Sequence, residues 1–258
     1  MNICVLGSGS SGNCIYIGSG GTRILVDAGL NHKHTCLRLA SVGLDLSQIS
    51  GILFTHDHSD HCKGLPIIYK NNPLPIFGNE RTCTGIDIAV KRHFEEWTVF
   101  ENGSAFTLGD FSILPFSVPH DASDPVAYRI SDGTSTIAVI TDLGDITPGI
   151  LRNLLDCDLI VLESNHDPVL LHESDRAPSL KQRIASRCGH LTNEMAADII
   201  EKIHSPRLRK VVLAHISLEC NSLPLARKTM CDRLRKIGRD DIEVHLTFQD
   251  KPTPLITL

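Results

Sequence analysis

The segment Thr55–His61 reads T-H-D-H-S-D-H and concentrates side chains that bind metal ions. It follows the apolar run Gly51–Phe54, so a buried strand is expected to end where these side chains begin. Residues two apart in an extended chain point to the same side with Cα atoms roughly 7 Å apart, so the first two histidines can hold one cation. Asp60 and His61 follow a turn and can face a second cation. The candidate ligands of this segment are therefore His56, His58, Asp60 and His61.

The ligand types indicate both the metal and the reaction. Imidazole and carboxylate ligands together suit zinc, manganese or iron. A solvated loop with chance histidines is the poorer explanation, because four such side chains within six residues are far more specific than a lone histidine. Two neighbouring cations lower the pKa of a water between them and neutralise charge on an attacked phosphorus or carbonyl group. Since no G-x-S-x-G elbow offers a serine nucleophile, the predicted chemistry is metal-dependent hydrolysis.

Further residues of metal-binding type follow predicted strands elsewhere in the chain. Asp27 comes after Ile24–Val26, His120 after Phe111–Val118, Asp142 after Thr136–Ile140, and His215 after Lys210–Ala214. At strand ends these side chains would lie along one edge of the fold. A single histidine beside a strand is more often structural than a ligand, so position after a strand does not by itself make these residues candidate ligands.

The order of the predicted elements favours two sheets with helices outside them. The first half is rich in strands with hairpin and meander connections, including a hairpin turn at Asp132-Gly133. Helical patterns fall between pairs of strands and towards the end of the chain, which fits this architecture better than a doubly wound parallel sheet. No repeat or linker divides the chain, so residues 1–258 are predicted to form a single domain. The polar segment Asp167–Ser179 is predicted as a loop over a site.

The composition restricts the class of protein. Of 258 residues 41% are hydrophobic, and the formal net charge is -5, so nucleic-acid binding would need a local basic surface or bound metal. The 9 cysteines form no C-x-x-C pair and are predicted to be mostly reduced and buried. Neither a signal peptide nor an apolar run of membrane-spanning length is apparent, so a soluble cytoplasmic protein is expected.

The cluster and the order of the outlying residues resemble the metallo-β-lactamase superfamily, whose signature the segment Thr55–His61 matches. The resemblance implies an α/β fold, a four-layer αββα sandwich, and two divalent metal ions, zinc or manganese. It further implies one ion bound by His56, His58 and His120, another bound by Asp60, His61 and His215, and Asp142 as the bridge. Asp27 would then accept a hydrogen bond that orients a ligand, although an ordinary aspartate of a strand-end turn is the alternative.

Several segments closely resemble the bacterial YycJ/WalJ family within this superfamily. They are Ser10–Cys14, Thr55–His61, His120-Asp121, Glu163–Asp167, Gly189–Asn193 and Cys220-Asn221. The resemblance implies a 5′-to-3′ exonuclease with a nucleic-acid substrate, DNA in preference to RNA, and a role in DNA repair. Asp57 departs from that family, which usually has Glu at this position, but it is not a metal ligand in the pattern.

Cleavage of a phosphodiester releases a poor alkoxide leaving group, so the reaction needs a proton donor. Glu163 and His190 resemble the Glu–His pair that shuttles a proton in the tRNA-maturation nucleases of the superfamily. Both are therefore candidate catalytic residues, together with Asp60. Thr192 and Asn193 precede a predicted helix whose free N–H groups could bind a phosphate, with simple capping as the alternative. Arg183 is a further candidate for substrate binding.

Alternatives remain open for the substrate. Residues 207–239 contain nine lysines and arginines against two acidic residues and could hold a phosphate backbone, or they could form a solvated helix face. A small-molecule hydrolase that cleaves a thioester or lactone on the same dinuclear site would need no basic surface. A non-catalytic, metal-stabilised binding module would be expected to have lost a ligand, whereas all seven ligand positions are intact.

Overall fold

Two seven-stranded β-sheets lie face to face in the computed structural model, which describes residues 1–258. From edge to edge, the first sheet contains β14 (Ile256–Thr257), β1 (Asn2–Gly7), β2 (Cys14–Ser19), β3 (Thr22–Val26), β4 (Gly51–Leu53), β5 (Ile76–Gly78) and β6 (Trp97–Val99). The second contains β13 (Glu243–Leu246), β12 (Lys210–Ala214), β11 (Leu159–Glu163), β10 (Thr136–Ile140), β9 (Val126–Ser131), β8 (Phe111–Ser117) and β7 (Phe106–Leu108).

Both sheets are mixed. Strands β3 to β6 pair in parallel, and so do β10 to β13, whereas the other neighbouring strands are antiparallel. Parallel neighbours end at the same edge of a sheet, so the residues that follow β3 and β4, or β10, β11 and β12, lie close together. The candidate ligands follow these strands, apart from His120, which follows β8. Strand β8 is antiparallel to β9, and β9 is antiparallel to β10, so β8 runs in the direction of β10 and ends at the same edge.

Nine α-helices cover the outer faces of the sheets. They are α1 (His32–Ala40), α2 (Ser59–Cys62), α3 (Leu65–Asn71), α4 (Glu80–Ala89), α5 (Pro148–Leu154), α6 (Pro168–Glu173), α7 (Pro178–Ile184), α8 (Asn193–Ile203) and α9 (Leu223–Lys236). A short 3-10 helix spans Leu46–Gln48. None of these helices combines the length and the hydropathy that a membrane span requires.

Alternating side chains build three hydrophobic layers. In β2, Ile15 and Ile17 point into the core between the sheets, whereas Cys14 and Tyr16 point into the core beneath the helices of the first sheet. A strand buried on both faces reads as a continuous apolar run, which is how the sequence presents it. On the second sheet, α8 packs an apolar stripe that includes Ile199 against the outer face. The predicted αββα sandwich is confirmed.

The segment Asp167–Ser179 differs from its prediction as a loop. Most of it is helical, because the side chain of Asp167 accepts hydrogen bonds from the backbone of Val169 and Leu170 and starts α6, with a proline in the first turn. The sequence analysis also missed α5 and the short strands β5, β6, β7 and β14. These strands have two or three residues each, too few to show a period.

Close backbone packing fixes the loop that carries Asp60. The backbone N–H of Ala28 donates to His61 O at 2.7 Å, and that of Asn13 donates to Asp60 O at 2.8 Å. A Cβ atom on Gly29 would lie 1.7 Å from Asp60 O, so only glycine permits this approach.

The substitution Gly29→Ala is therefore expected to lower the free energy of unfolding by about 1–3 kcal/mol, because the loop must move to admit the methyl group. Gly21→Ala is the matched control, since a Cβ atom there has no neighbour within 4 Å. Urea unfolding of both variants measures the effect. Equal stability of the two variants would contradict this account of the packing.

Candidate active site

The candidate ligands come together at the carboxyl ends of strands from both sheets. Asp27 follows β3 and His215 follows β12, while Asp142 lies two residues after β10, and these residues have φ angles of 64°, 53° and 59°. Residues other than glycine seldom adopt this left-handed region, and imposing it costs about 1–3 kcal/mol. Three of the five non-glycine residues in this region therefore have side chains that form the site, and the other two are Lys91 and Asp156.

The imidazoles and carboxylates form overlapping clusters in which the potential ligand atoms lie within 4.8 Å of one another. The clusters are His56 with His58 and His120; Asp60 with His61 and His215; Asp142 with His56 and His61; and Asp142 with Glu163, His190 and His215. Three buried atoms in them have no hydrogen-bond partner, namely His56 Nε2, Asp142 Oδ2 and His215 Nε2. Buried polar atoms are normally paired, so these orphaned atoms fit bound cations.

Neighbouring groups orient the ligand imidazoles. His120 Nδ1 lies 3.1 Å from Gly189 O and donates to it, which leaves Nε2 to face His58 Nδ1 at 3.3 Å. A hydrogen bond at one ring nitrogen selects the tautomer that exposes the other nitrogen as a ligand.

Asp27 accepts hydrogen bonds from two residues of the metal-binding segment, His61 and Thr55. Its Oδ2 accepts from His61 Nδ1 at 2.8 Å, and its Oδ1 accepts from the backbone N–H of Thr55 at 2.9 Å. The Thr55 hydroxyl also contacts both carboxylate oxygens. Asp27 therefore has the contacts of a residue that orients a ligand, and it joins the end of β3 to the segment that follows β4.

The surroundings lower the pKa of one ligand histidine, His56, and raise the pKa of two others, His61 and His215. Burial, reinforced by His61, lowers the pKa of His56 well below its ordinary value and keeps the ring neutral. Burial would also lower the pKa of His215, but Asp142 and hydrogen bonds with Asp60 and Glu163 raise it to about 10. For His61, Asp27 and Asp142 outweigh burial and raise the pKa well above its ordinary value. The carboxylates thus create a site that attracts positive charge.

Glu163 joins the cluster to His190. Its Oε1 lies 2.8 Å from His190 Nδ1 and 3.0 Å from His215 Nδ1, while Oε2 accepts from the backbone N–H groups of Leu143 and Leu191. Burial would raise the pKa of Glu163, but His190 and the hydrogen bonds from both histidines lower it to about 2. The carboxylate is therefore ionised and fixes both imidazole rings.

A cleft of about 180 Å³ opens beside these groups. His190 and His215 line it, and so do two arginines, Arg176 and Arg183. The Arg183 guanidinium pairs with Asp121, and Arg176 Nε donates to Glu219 Oε2 at 3.0 Å. The cleft thus combines the ligand cluster, a histidine held by a buried carboxylate, and positive charge at its wall.

Comparison with known proteins places this arrangement in a family. A family model described as a Beta-lactamase superfamily domain matches residues 22–216. The chain belongs to the metallo-β-lactamase superfamily. It is a hydrolase of that superfamily, and its His/Asp cluster has the ligands for divalent metal ions.

Two relatives match this superfamily member over nearly its whole length. Exodeoxyribonuclease YycJ of Bacillus anthracis is 34% identical over 259 residues, which cover 99% of this chain and 98% of the relative. Exodeoxyribonuclease WalJ of Streptococcus pneumoniae is 34% identical over 257 residues, 97% of this chain and 96% of the relative. The resemblance to the YycJ/WalJ family is thus confirmed.

A solved structure shows the same fold. The metallo-beta-lactamase fold protein YhfI from Bacillus subtilis superimposes with a TM-score of 0.74 at 18% identity, and the match covers 98% of each chain.

Not every predicted site residue reaches the cleft of this metallo-β-lactamase fold. Asn193 is 3% exposed, and its amide bonds to Ser164 and Asn221, so the structure corrects its predicted role in substrate binding to an internal one. Thr192 caps α8 by accepting from Met195 N at 3.1 Å, and it also lines a second cavity. Arg183, predicted as a substrate-binding residue, lines the cleft.

The late basic stretch does not form a surface at the site. Seven of its nine cations pair with acidic groups: Arg207, Arg209, Lys210, Lys228, Arg233, Arg235 and Arg239. Lys210 also lies at the amino end of β12, whereas the ligand His215 follows its carboxyl end. The solvated-face alternative accounts for this stretch.

The sequence analysis missed two asparagines that contact the ligands. Asn13 Nδ2 lies 2.8 Å from His61 Nε2 and 3.2 Å from Asp60 Oδ2, and Asn165 donates to His215 O at 2.8 Å. Both lie in segments that carried the family resemblance, which was the available signal.

Asp57 connects two loops of the site instead of facing the ligands. Its Oδ2 accepts from the Ser123 hydroxyl at 2.6 Å, and its Oδ1 accepts from the Ser123 backbone N–H at 3.1 Å. It therefore ties the loop that carries His58 to the loop that carries His120.

Binding of metal is expected to release protons and to strengthen as the pH rises above neutrality. With raised pKa values, His61 and His215 carry protons at neutral pH in the metal-free protein and must lose them to bind a cation. Titration calorimetry with Zn²⁺ or Mn²⁺, in buffers of different ionisation enthalpy, measures the protons released. Asp142→Asn removes a charge that raises both pKa values and is expected to release fewer protons and to bind fewer ions. An affinity independent of pH would contradict the assignment.

Proposed function

We propose that the protein is a metal-dependent phosphodiesterase that acts as a 5′-to-3′ exonuclease, on DNA in preference to RNA. The observation that carries this proposal is the Glu163–His190 pair beside the ligand cluster, because it offers a proton donor for the alkoxide that a cleaved phosphodiester releases. Two relatives named as exodeoxyribonucleases, each 34% identical over nearly the whole chain, support the same activity.

Two divalent ions would occupy the cluster. One would be held by His56, His58 and His120, the other by Asp60, His61 and His215, with Asp142 between them. Bound there, the ions supply a hydroxide at neutral pH and neutralise charge on the phosphate. The nitrogen-rich donors favour zinc, and the shared carboxylates also suit manganese.

His190 holds the proton for the leaving oxygen. Glu163 accepts the Nδ1 hydrogen of His190, which leaves Nε2 as the nitrogen that reaches a substrate. The buried, ionised Glu163 is fixed in turn by two backbone N–H groups, so it holds the ring of His190 in one orientation.

The remaining polar groups bind and orient the substrate. Asp60, whose side chain is 23% exposed, would accept a hydrogen bond from the attacking water. Arg183 and Arg176 line the cleft and each pairs with a carboxylate, so substrate binding would require them to exchange that partner for phosphate oxygens, to which a guanidinium donates two parallel hydrogen bonds. Thr192 stands beside His190 at the second cavity.

The alternative function is hydrolysis of a small-molecule thioester or lactone on the same ions. A thiolate leaves without a proton, so a thioester would not need the Glu163–His190 pair, whereas the alkoxide of a lactone would; neither substrate carries a phosphate for the arginines of the cleft to bind. These groups are the reason for preferring a phosphodiester.

The wild-type protein with Mn²⁺ or Zn²⁺ is expected to release nucleotides from end-labelled DNA, while Asp142→Asn is expected to be inactive. The variant removes the carboxylate between the two ligand sets and also controls for contaminating nuclease. Parallel digestion of duplex DNA, single-stranded DNA and RNA gives the preferred substrate, and the position of the label gives the polarity. If no nucleic acid is cut while two ions are bound, thioesters and lactones become the substrates to test.

His190→Ala is expected to slow DNA cleavage by about 10²–10⁴-fold, because the 3′ oxygen then departs without a proton. Hydrolysis of bis(p-nitrophenyl) phosphate is expected to change little, because p-nitrophenolate is stable without protonation. Glu163→Gln is expected to act in the same direction. Steady-state kinetics on both substrates makes the comparison, and an equal loss on both would show that His190 does not donate the proton.

A further inference from the structure

A second cavity, of about 550 Å³, shares His190 with the catalytic cleft. Side chains of α6, α7 and the first turn of α8 surround it. Its volume falls within the range of about 300–1,000 Å³ that is usual for small-molecule sites. The reaction proposed above leaves this space without a role.

The lining suits a flat ring with polar edges. Pro168, Leu171 and Met195 supply apolar surface, and Gln182 supplies an amide. His166 is 1% exposed, and its Nδ1 has no hydrogen-bond partner in the protein. Burial lowers the pKa of His166 to about 4, so the neutral ring offers one donor and one acceptor. A buried polar atom without a partner is costly unless a ligand or water satisfies it.

One of the two cations in the lining is ion-paired and the other is not. Arg187 Nη2 pairs with Asp145 Oδ2 at 2.6 Å, whereas Lys181 Nζ donates to the uncharged backbone carbonyl of His172 at 2.6 Å. The apolar walls with a few hydrogen-bonding groups match a neutral heteroaromatic ring, which is the chemistry of a nucleobase.

The position of His190 decides which nucleotide is involved. In 5′-to-3′ cleavage, the water oxygen bonds to phosphorus while the bond from phosphorus to the 3′ oxygen of the terminal nucleotide breaks. That oxygen takes the proton from His190. The departing nucleotide therefore lies on the His190 side of the phosphate, where the second cavity begins.

We propose that this cavity holds the base of the terminal nucleotide as it departs, and that the enzyme therefore selects chain ends that carry a base. The proposal rests on the proposed exonuclease function and adds a subsite to it. From a chain end that carries a 5′-phosphate, the departing product whose base occupies the cavity is a nucleoside 5′-monophosphate, and the attacked phosphate remains as the new 5′ end of the chain.

Ala185→Trp tests the proposal because Ala185 is exposed at the end of α7 and lines the cavity, so an indole can fill the space without entering the core. Ala40→Trp is the matched control, since Ala40 is an exposed alanine at the end of α1. The substrates are single-stranded DNA with ordinary ends and the same DNA with an abasic residue at both ends. Methyl p-nitrophenyl phosphate, which has no base, reports the metal chemistry.

The wild type and Ala40→Trp are expected to prefer ordinary ends by at least about tenfold in kcat/KM, a factor that one stacked base supplies. Ala185→Trp is expected to lose this preference and to hydrolyse methyl p-nitrophenyl phosphate at the rate of the wild type. Equal cleavage of both DNAs by the wild type, or a preference retained by Ala185→Trp, would overturn the subsite and leave the exonuclease intact.

Failure of the exonuclease itself is recognised separately. If the wild type cuts neither DNA, the proposed exonuclease function is wrong. Calorimetric binding of thymidine 5′-monophosphate to the metal-loaded protein then tests separately whether the cavity binds a base. Binding that Ala185→Trp abolishes and Ala40→Trp retains would support a base-binding cavity. No binding to the wild type would overturn it.

Discussion

Buried imidazoles and carboxylates from separate segments of the chain meet at one point, and the fold must compensate for removing them from water. His56, His61, Asp142 and Glu163 are all nearly inaccessible. Isolated charges at such depth cost several kcal/mol each, so they persist only with partners. Asp27 pairs with His61, Glu163 with His190 and His215, and the atoms left without partners point to cations. The close approach of Asp60 O to Gly29 and the left-handed residues at strand ends also help to bring these side chains to one point.

Glu163 connects metal binding with proton transfer. One oxygen contacts both His215, a candidate ligand, and His190, the candidate donor, and the other is fixed by two backbone N–H groups. Because the carboxylate lies at the end of a central strand and is fully buried, it has little freedom to follow one histidine without the other. The orientation of the proton donor therefore depends on the same contact that orients a metal ligand.

Much of the fold and the cluster could be predicted from the sequence. Long apolar strands such as Thr136–Ile140 and Lys210–Ala214 show clear patterns, and each precedes a candidate ligand. Elements of two or three residues, such as Ile76–Gly78, carry no period and were missed. The helix Pro168–Glu173 was missed because a polar, proline-bounded stretch also describes a loop. Asn193 looked like a phosphate-binding residue until burial showed its amide inside the protein.

The sequence by itself determined the chemistry, because ligand types and their spacing are local: His56, His58, Asp60 and His61 lie within six residues. It also determined the edge where the outlying ligands meet, since carboxyl ends of parallel strands coincide. Only the tertiary structure decided which polar groups lie at the cleft. Arg176 and Arg183 line it, while most cations of residues 207–239 pair elsewhere. Ion pairing and burial depend on residues distant in the chain, such as Arg233 with Glu194, and no local pattern records them.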